Sequence, residues 1–225
     1  MKKVFGILNA ALIAATLISA YCYYEYGGLW LKSLTSSGFV ITGLINLLFA
    51  FSSRAEKKLF SGLMASGLLL CMIGDVVINL EFIPGALIFA IGHIFYFGAY
   101  CGLIKPKAKD FVPCLLIFCG AVAILLLYPG FDFVPIILAV CLFYALIISF
   151  MAGKAISNFI RCRGAVTSII LAGSVLFFIS DLALVLYMFG NADRTMDTIC
   201  LLTYFPAQCL LAFSIFKYDT CKTEA

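Results

Sequence analysis

Charge is what this chain has least of. Only 12% of its 225 residues are charged against 64% hydrophobic, and the mean hydropathy is +1.15; that composition excludes a soluble domain and marks an integral membrane protein. Alternating apolar segments of about ten residues, the mark of a transmembrane barrel, are missing, so the spans are read as helices. Histidine occurs once, and the ten cysteines show no CxxC spacing. A catalytic zinc takes about three protein ligands, commonly with several histidines among them, and such a set is lacking. No Gly-x-Ser-x-Gly elbow for a serine hydrolase occurs either. Cys71, Cys101, Cys114, Cys119, Cys141, Cys200 and Cys209 lie in or at the edges of apolar runs and read as small apolar fillers. No metal or other cofactor is expected. The net charge of +4 is spread over short loops, which argues against a nucleic-acid surface.

What the chain does have is apolar length. A helical crossing needs roughly 20 mostly apolar residues, and eight such spans are predicted, at 4–24, 33–53, 59–80, 82–104, 111–128, 133–153, 164–189 and 197–216. The first follows Met1-Lys2-Lys3 and resembles a secretory signal, but its apolar run exceeds the roughly 7–15 residues of a signal core, so it is kept as a span. The expectation is an all-α bundle of eight transmembrane helices forming one domain over 1–225, with both termini on one side. Lysines and arginines, from Lys2 and Lys3 through Arg54, Lys107 and Lys154 to Lys222, fall on the side of the termini; Lys32 and Arg194 are the exceptions. The positive-inside rule makes that side cytoplasmic. Glu25, Glu81, Asp132, Asp193 and Asp197 fall opposite. Short loops and termini suit a bacterial inner membrane.

The chain is organised around Ser66 to Asn79, SGLLLCMIGDVVIN, which places Asp75 inside an apolar run. A charge at the centre of a membrane helix costs about 2.5–3.5 kcal/mol on insertion scales and usually marks function. The arrangement returns as AGSVLFFISDLALVL: with Asp181 on Asp75, Gly173 falls on Gly67, Ile179 on Ile73 and Ser180 on Gly74. The echo predicts a four-plus-four parallel repeat. These two aspartates are read as the only carboxylates deep in apolar runs.

Helical spacing aligns further polar groups. Gly67, Cys71, Asp75 and Asn79 form one stripe; Gly85, Phe89, His93, Tyr96 and Tyr100 form another; Ser174, Phe177 and Asp181 a third; Tyr204 and Gln208 share a face of the eighth span. By depth, Asp75, Asp181 and Tyr204 belong to the outer half, with His93 and Gln208 near the floor of one outward-opening cavity. Thr35, Thr42 and Asn46 share a face of the second span. Lys32 stands at the outer interface, where a cation meets a lipid phosphate, and Trp30 with the tyrosines between 21 and 26 reads as an interfacial aromatic belt.

Gly74-Asp75, the Gly85…Phe89…His93…Tyr96 face, Tyr144, Gly173…Phe177…Ser180-Asp181 and Tyr204…Ala207-Gln208 together resemble the YhhN-like lysoplasmalogenase family across nearly the whole chain. One departure is Ser33, where a Lys-Pro pair is expected at the start of the second span. The resemblance implies a membrane hydrolase that cleaves the vinyl ether bond of lysoplasmalogens to a fatty aldehyde and glycerophosphoethanolamine or glycerophosphocholine, with Asp75 and Asp181 as the catalytic pair. His93 is expected to assist them. Lys32, Asn79, Tyr96, Tyr144, Ser180, Tyr204 and Gln208 are expected to bind the lysophospholipid.

That chemistry suits the residues. Vinyl ethers hydrolyse by protonation of carbon, and water captures the resulting oxocarbenium ion. A carboxyl buried in low dielectric can stay protonated near neutral pH, and a second carboxylate can activate water and stabilise the cation, as in glycosidic cleavage. The sequence leaves open which aspartate does which. The rival expectation is a proton-coupled transporter or lipid-binding membrane protein, since buried Asp and His also build proton relays.

Overall fold

The computed structural model describes residues 2–50 and 55–218. Arg54, Lys222 and the predicted end of the second span over 51–53 lie outside the described residues. Eight α-helices follow one another: α1 Lys2–Tyr26, α2 Leu29–Ala50, α3 Ala55–Val77, α4 Phe82–Leu103, α5 Phe111–Leu127, α6 Pro135–Arg161, α7 Ala165–Phe189 and α8 Arg194–Lys217, with one 3-10 turn at Ala108–Asp110. All eight are long and apolar enough to cross a membrane, and no strand occurs among the described residues. The face of the bundle carrying the α1–α2, α3–α4, α5–α6 and α7–α8 connections is called the upper face below.

Buried side chains of α2, α3, α4, α6, α7 and α8 build the main core around Phe39, Leu68, Tyr96, Met151, Phe177 and Phe205. Small residues let the helices approach. A Cβ on Gly67 would stand 2.5 Å from the Tyr96 ring, and one on Gly74 would stand 2.8 Å from the Phe89 ring, so α3 is pressed against α4 at both glycines. α1 is held by polar contacts: Asn9 and Asn46 exchange amide hydrogen bonds of 2.7 and 2.8 Å, and Asn46 also donates to the Ala212 carbonyl of α8 at 3.0 Å. Five cysteines of the apolar runs are buried free thiols, with Cys101 half-buried and Cys119 exposed. Helices α1–α2, α2–α3, α3–α4 and α8–α2 are neighbours, and so are the pairs four helices on, α5–α6, α6–α7, α7–α8 and α4–α6; α1–α8 and α3–α8 have no such counterpart. On this pattern we propose the four-plus-four parallel repeat.

Helix boundaries differ from the apolar runs where polar side chains extend them. α6 continues to Arg161, eight residues past the predicted end at 153, because its added turns hold an ion network. Lys154 Nζ lies 2.6 Å from Asp110 Oδ2, Ser157 donates to Oδ1 at 2.5 Å, and Arg161 Nη1 reaches Oδ2 at 2.9 Å. Asn158 donates to the Tyr100 carbonyl at 2.8 Å, tying α6 to α4. Asp110, just outside the predicted fifth span, is 3% exposed; like Asp75 it is a buried carboxylate, but at the lower end of α5 instead of deep in a span. α8 starts at Arg194, earlier than predicted, because Asp193 caps its first turn by accepting from the Thr195 N–H at 3.0 Å.

Candidate functional site

α3 brings Asp75 to within one turn of its upper end, where the Asn79 side-chain amide donates to the Asp75 carbonyl and satisfies a group the helix leaves free. The Asp75 carboxylate is 3% exposed and ringed by donors. Its Oδ2 accepts from Ser36 Oγ of α2 at 2.5 Å and from Tyr204 Oη of α8 at 2.7 Å. Lys32 Nζ, also from α2, lies 3.7 Å from Oδ1. Behind Tyr204 the chain of donors continues: Gln208 Nε2 donates to Tyr204 Oη at 3.3 Å, and Tyr96 Oη donates to Gln208 Oε1 at 2.8 Å. Each donor points toward Asp75, and such chains polarise one another.

Asp181, in the upper third of α7, has a different neighbourhood. Its Oδ2 accepts from Tyr144 Oη of α6 at 2.5 Å. His93 Nε2 lies 4.0 Å from the same oxygen, is fully buried, and has no hydrogen-bond partner. The other ring nitrogen, Nδ1, is 2.6 Å from the Phe89 carbonyl. A carbonyl only accepts, so Nδ1 carries the hydrogen, and a neutral ring then turns its Nε2 lone pair toward Asp181. Phe177, Tyr144 and Tyr96 pack edge-on to the imidazole with centroids at 4.6, 5.4 and 6.1 Å and fix its plane.

Both carboxyls line one cavity of about 380 Å³. Its polar end carries Lys32, Tyr23, Asn79 and Asp197 near the upper ends of their helices, with Tyr204 lower on α8; its apolar limb runs between α4, α5, α6 and α7 past Phe82, Ala86, Ala121, Leu125, Cys141 and Val185. Aromatic contacts join the helix ends around this limb: Phe82 on Phe189 at 4.8 Å, Phe133 on Phe189 at 5.5 Å, and Phe131 on Phe133 at 4.6 Å. Shape and lining suit an amphiphile with a charged head and one chain. Beneath the cavity the fully buried Tyr96, Tyr100, Phe177 and Met151 belong to the packed core. Among the described residues, no three His, Cys, Asp or Glu side chains gather as metal ligands.

Of the residues expected at the site, Lys32, Asp75, Asn79, Tyr144, Ser180, Asp181 and Tyr204 line the cavity. Ser180 also donates to the Cys200 carbonyl at 3.2 Å, locking α7 to α8. His93, Tyr96 and Gln208 lie behind the lining and reach it through Asp181 and Tyr204. Three residues were missed. Ser36 shares the face of α2 that carries Lys32, four residues on, which spacing alone could have shown. Tyr23 was assigned to the aromatic belt and faces the cavity instead. Asp197 was read only as an outer-loop charge.

The bundle and its site define a class: an all-helical, eight-span membrane protein with two carboxyls lining one amphiphilic cavity. The chain belongs to the YhhN family, whose match covers residues 36–215 and so includes both aspartates but not Lys32 or Tyr23. Neither a curated protein nor a solved structure matches the chain.

Proposed function

We propose that this protein is a lysoplasmalogenase-type hydrolase, which splits the vinyl ether bond of a lysophospholipid by acid–base catalysis with Asp181 and Asp75. The observation that carries the proposal is the unequal surroundings of two carboxyls on one cavity wall. Asp75, with two hydroxyl donors and an ammonium around it, is arranged as the anion. Asp181, with one hydroxyl donor and an imidazole lone pair opposite, is arranged to hold a proton. Family membership and the resemblance of the motifs support the same reading.

The reaction then divides between them. The protonated Asp181 carboxyl gives its proton to the outer vinyl carbon, and the ether-bearing carbon becomes an oxocarbenium ion. Asp75 takes a proton from water as the water oxygen bonds to that carbon, giving a hemiacetal. The hemiacetal collapses to a fatty aldehyde: its hydroxyl proton passes to the Asp181 carboxylate, and the glycerol oxygen leaves with the proton held by Asp75. One water is consumed, both aspartates return to their starting states, and no electrons change hands. Tyr144 and His93 hold the Asp181 carboxyl in place, and the apolar limb takes the hydrocarbon chain. The cations on the side of the termini make that side cytoplasmic, so the cavity takes substrate from the outer leaflet of a bacterial inner membrane.

The direct test is aldehyde release by the purified protein in detergent, with vinyl ether, alkyl ether and ester lysolipids side by side. Aldehyde from the vinyl ether substrate alone is expected. No aldehyde from any of them leaves the transporter or lipid-binding reading in its place.

A further inference from the structure

The polar end of the cavity carries one charge that the proposed reaction does not use. Asp197 lines the cavity with Lys32 and Tyr23, is partly buried, and forms no ion pair among the described residues. It sits in the first turn of α8, where a carboxylate can serve the helix dipole. That need is already met by Asp193, which accepts the Thr195 N–H at 3.0 Å. The position of α8 against α1 is set by another contact, Thr198 Oγ1 to Tyr24 Oη at 3.4 Å. Structural demands on the Asp197 carboxylate are therefore few.

The charges around the cavity leave it unbalanced. Lys32 and Asp75 offset each other at 3.7 Å, and a protonated Asp181 beside a neutral His93 adds no charge. Asp197 remains as a negative charge without an ion pair, at the same end of the cavity as Lys32, the only cation of the lining among the described residues. A cation and a separate carboxylate beside an apolar limb match a zwitterionic lipid head: the phosphodiester faces the lysine, the ammonium faces the carboxylate, and the chain enters the limb.

We propose that Asp197 and Lys32 form a headgroup site for single-chain phospholipids bearing an ammonium, with Asp197 selecting the ammonium and Lys32 meeting the phosphate. The proposal rests on the hydrolase reading only in its choice of ligand. Lysolipids with phosphoethanolamine or phosphocholine heads bind in preference to the same lipid with a bare phosphate, which Asp197 repels.

The test uses saturated 1-O-alkyl lysolipids, which contain no vinyl ether to cleave, with phosphoethanolamine, phosphocholine or phosphate-monoester heads. They compete with a fluorescent lysolipid for the full chain in detergent. Asp197→Asn is expected to lower the ratio of ammonium-head to bare-phosphate affinity by about fivefold to tenfold, the size of one partly exposed charge contact, and Asp197→Glu to restore it. Lys32→Gln weakens all three ligands. Thermal unfolding in detergent shows that each variant is folded. An unchanged ratio in Asp197→Asn overturns the proposal, and so does free phosphoethanolamine competing as well as the lysolipid does. Aldehyde release together with a ratio indifferent to Asp197 overturns this site and leaves the hydrolase standing. A ratio that depends on Asp197 in a protein releasing no aldehyde supports the site and removes the hydrolase.

Discussion

Ser36→Ala removes one hydroxyl donor from behind Asp75 and tests the division of labour between the aspartates. Ser36 is fully buried and its hydroxyl donates to Asp75 Oδ2 at 2.5 Å. Deleting it leaves Tyr204 at 2.7 Å and Lys32 at 3.7 Å as the carboxylate's partners. A hydrogen bond to a charged group contributes about 1.5–3 kcal/mol, against about 0.5–1.5 kcal/mol for a neutral one. If Asp75 acts as an anion, kcat/KM should fall about 10- to 150-fold, since each 1.36 kcal/mol is about tenfold in rate. A neutral Asp75 limits the loss to roughly tenfold by the same conversion. The assay is initial-rate aldehyde release coupled to a soluble alcohol dehydrogenase, with thermal unfolding in detergent as the check on folding. In an Asp75→Asn background the same substitution should cost little more, because the two groups act as a unit. A well-folded Ser36→Ala protein with activity within twofold of the parent would refute the argument that Asp75 works as a donor-stabilised carboxylate.

Asp75→Asn and Asp181→Asn should each lower turnover by about 10²–10⁴-fold, the range of general acid or base work, with His93→Gln losing less; full activity in either asparagine variant removes that aspartate from the pair. In heavy water the rate should drop and the aldehyde should carry deuterium on the carbon next to its carbonyl, whereas unlabelled aldehyde, with exchange controlled, rules out carbon protonation. A reporter active only outside the cytoplasm should work when fused after Asp132 and fail after Lys107; the reverse inverts the site. Activity should survive strong chelators, and restoration by a divalent ion after chelation would revive a metal-dependent mechanism.

Much of this architecture was legible because the membrane makes polarity conspicuous. In apolar runs Asp75, Asp181 and His93 stand out, and helical spacing alone put Gly67, Cys71 and Asp75 on a face that meets other helices, α4 for Gly67 and α2 and α8 for Asp75. Ser36 did not stand out, because a serine can satisfy its hydroxyl on its own helix, as Ser33 does on the Leu29 carbonyl at 2.8 Å. Composition does not separate the two cases. Tyr23 was hidden among four tyrosines, of which one turns inward to the cavity. Lys154 looked like a loop cation because its partner Asp110 lies 44 residues away. Pairing across that separation is decided by packing, and a charge count sees the lysine without the carboxylate that neutralises it.

The Asp110 network also bears on how the chain is made. α5 packs against α6 and the short turn before it, and against no other helix among the described residues. As the chain emerges, α5 reaches the membrane with Asp110 at its lower end and no cation yet available to that carboxylate from α6. Lys154, Ser157 and Arg161 arrive only when α6 has been synthesised almost to its last turn. Until then the carboxylate must stay in the headgroup water, which keeps α5 from settling deeper than its apolar length. Once α6 enters, the ions meet and the two helices become a single hairpin paired at its base, so α5 and α6 are expected to insert as one unit, and side chains of both line the cavity.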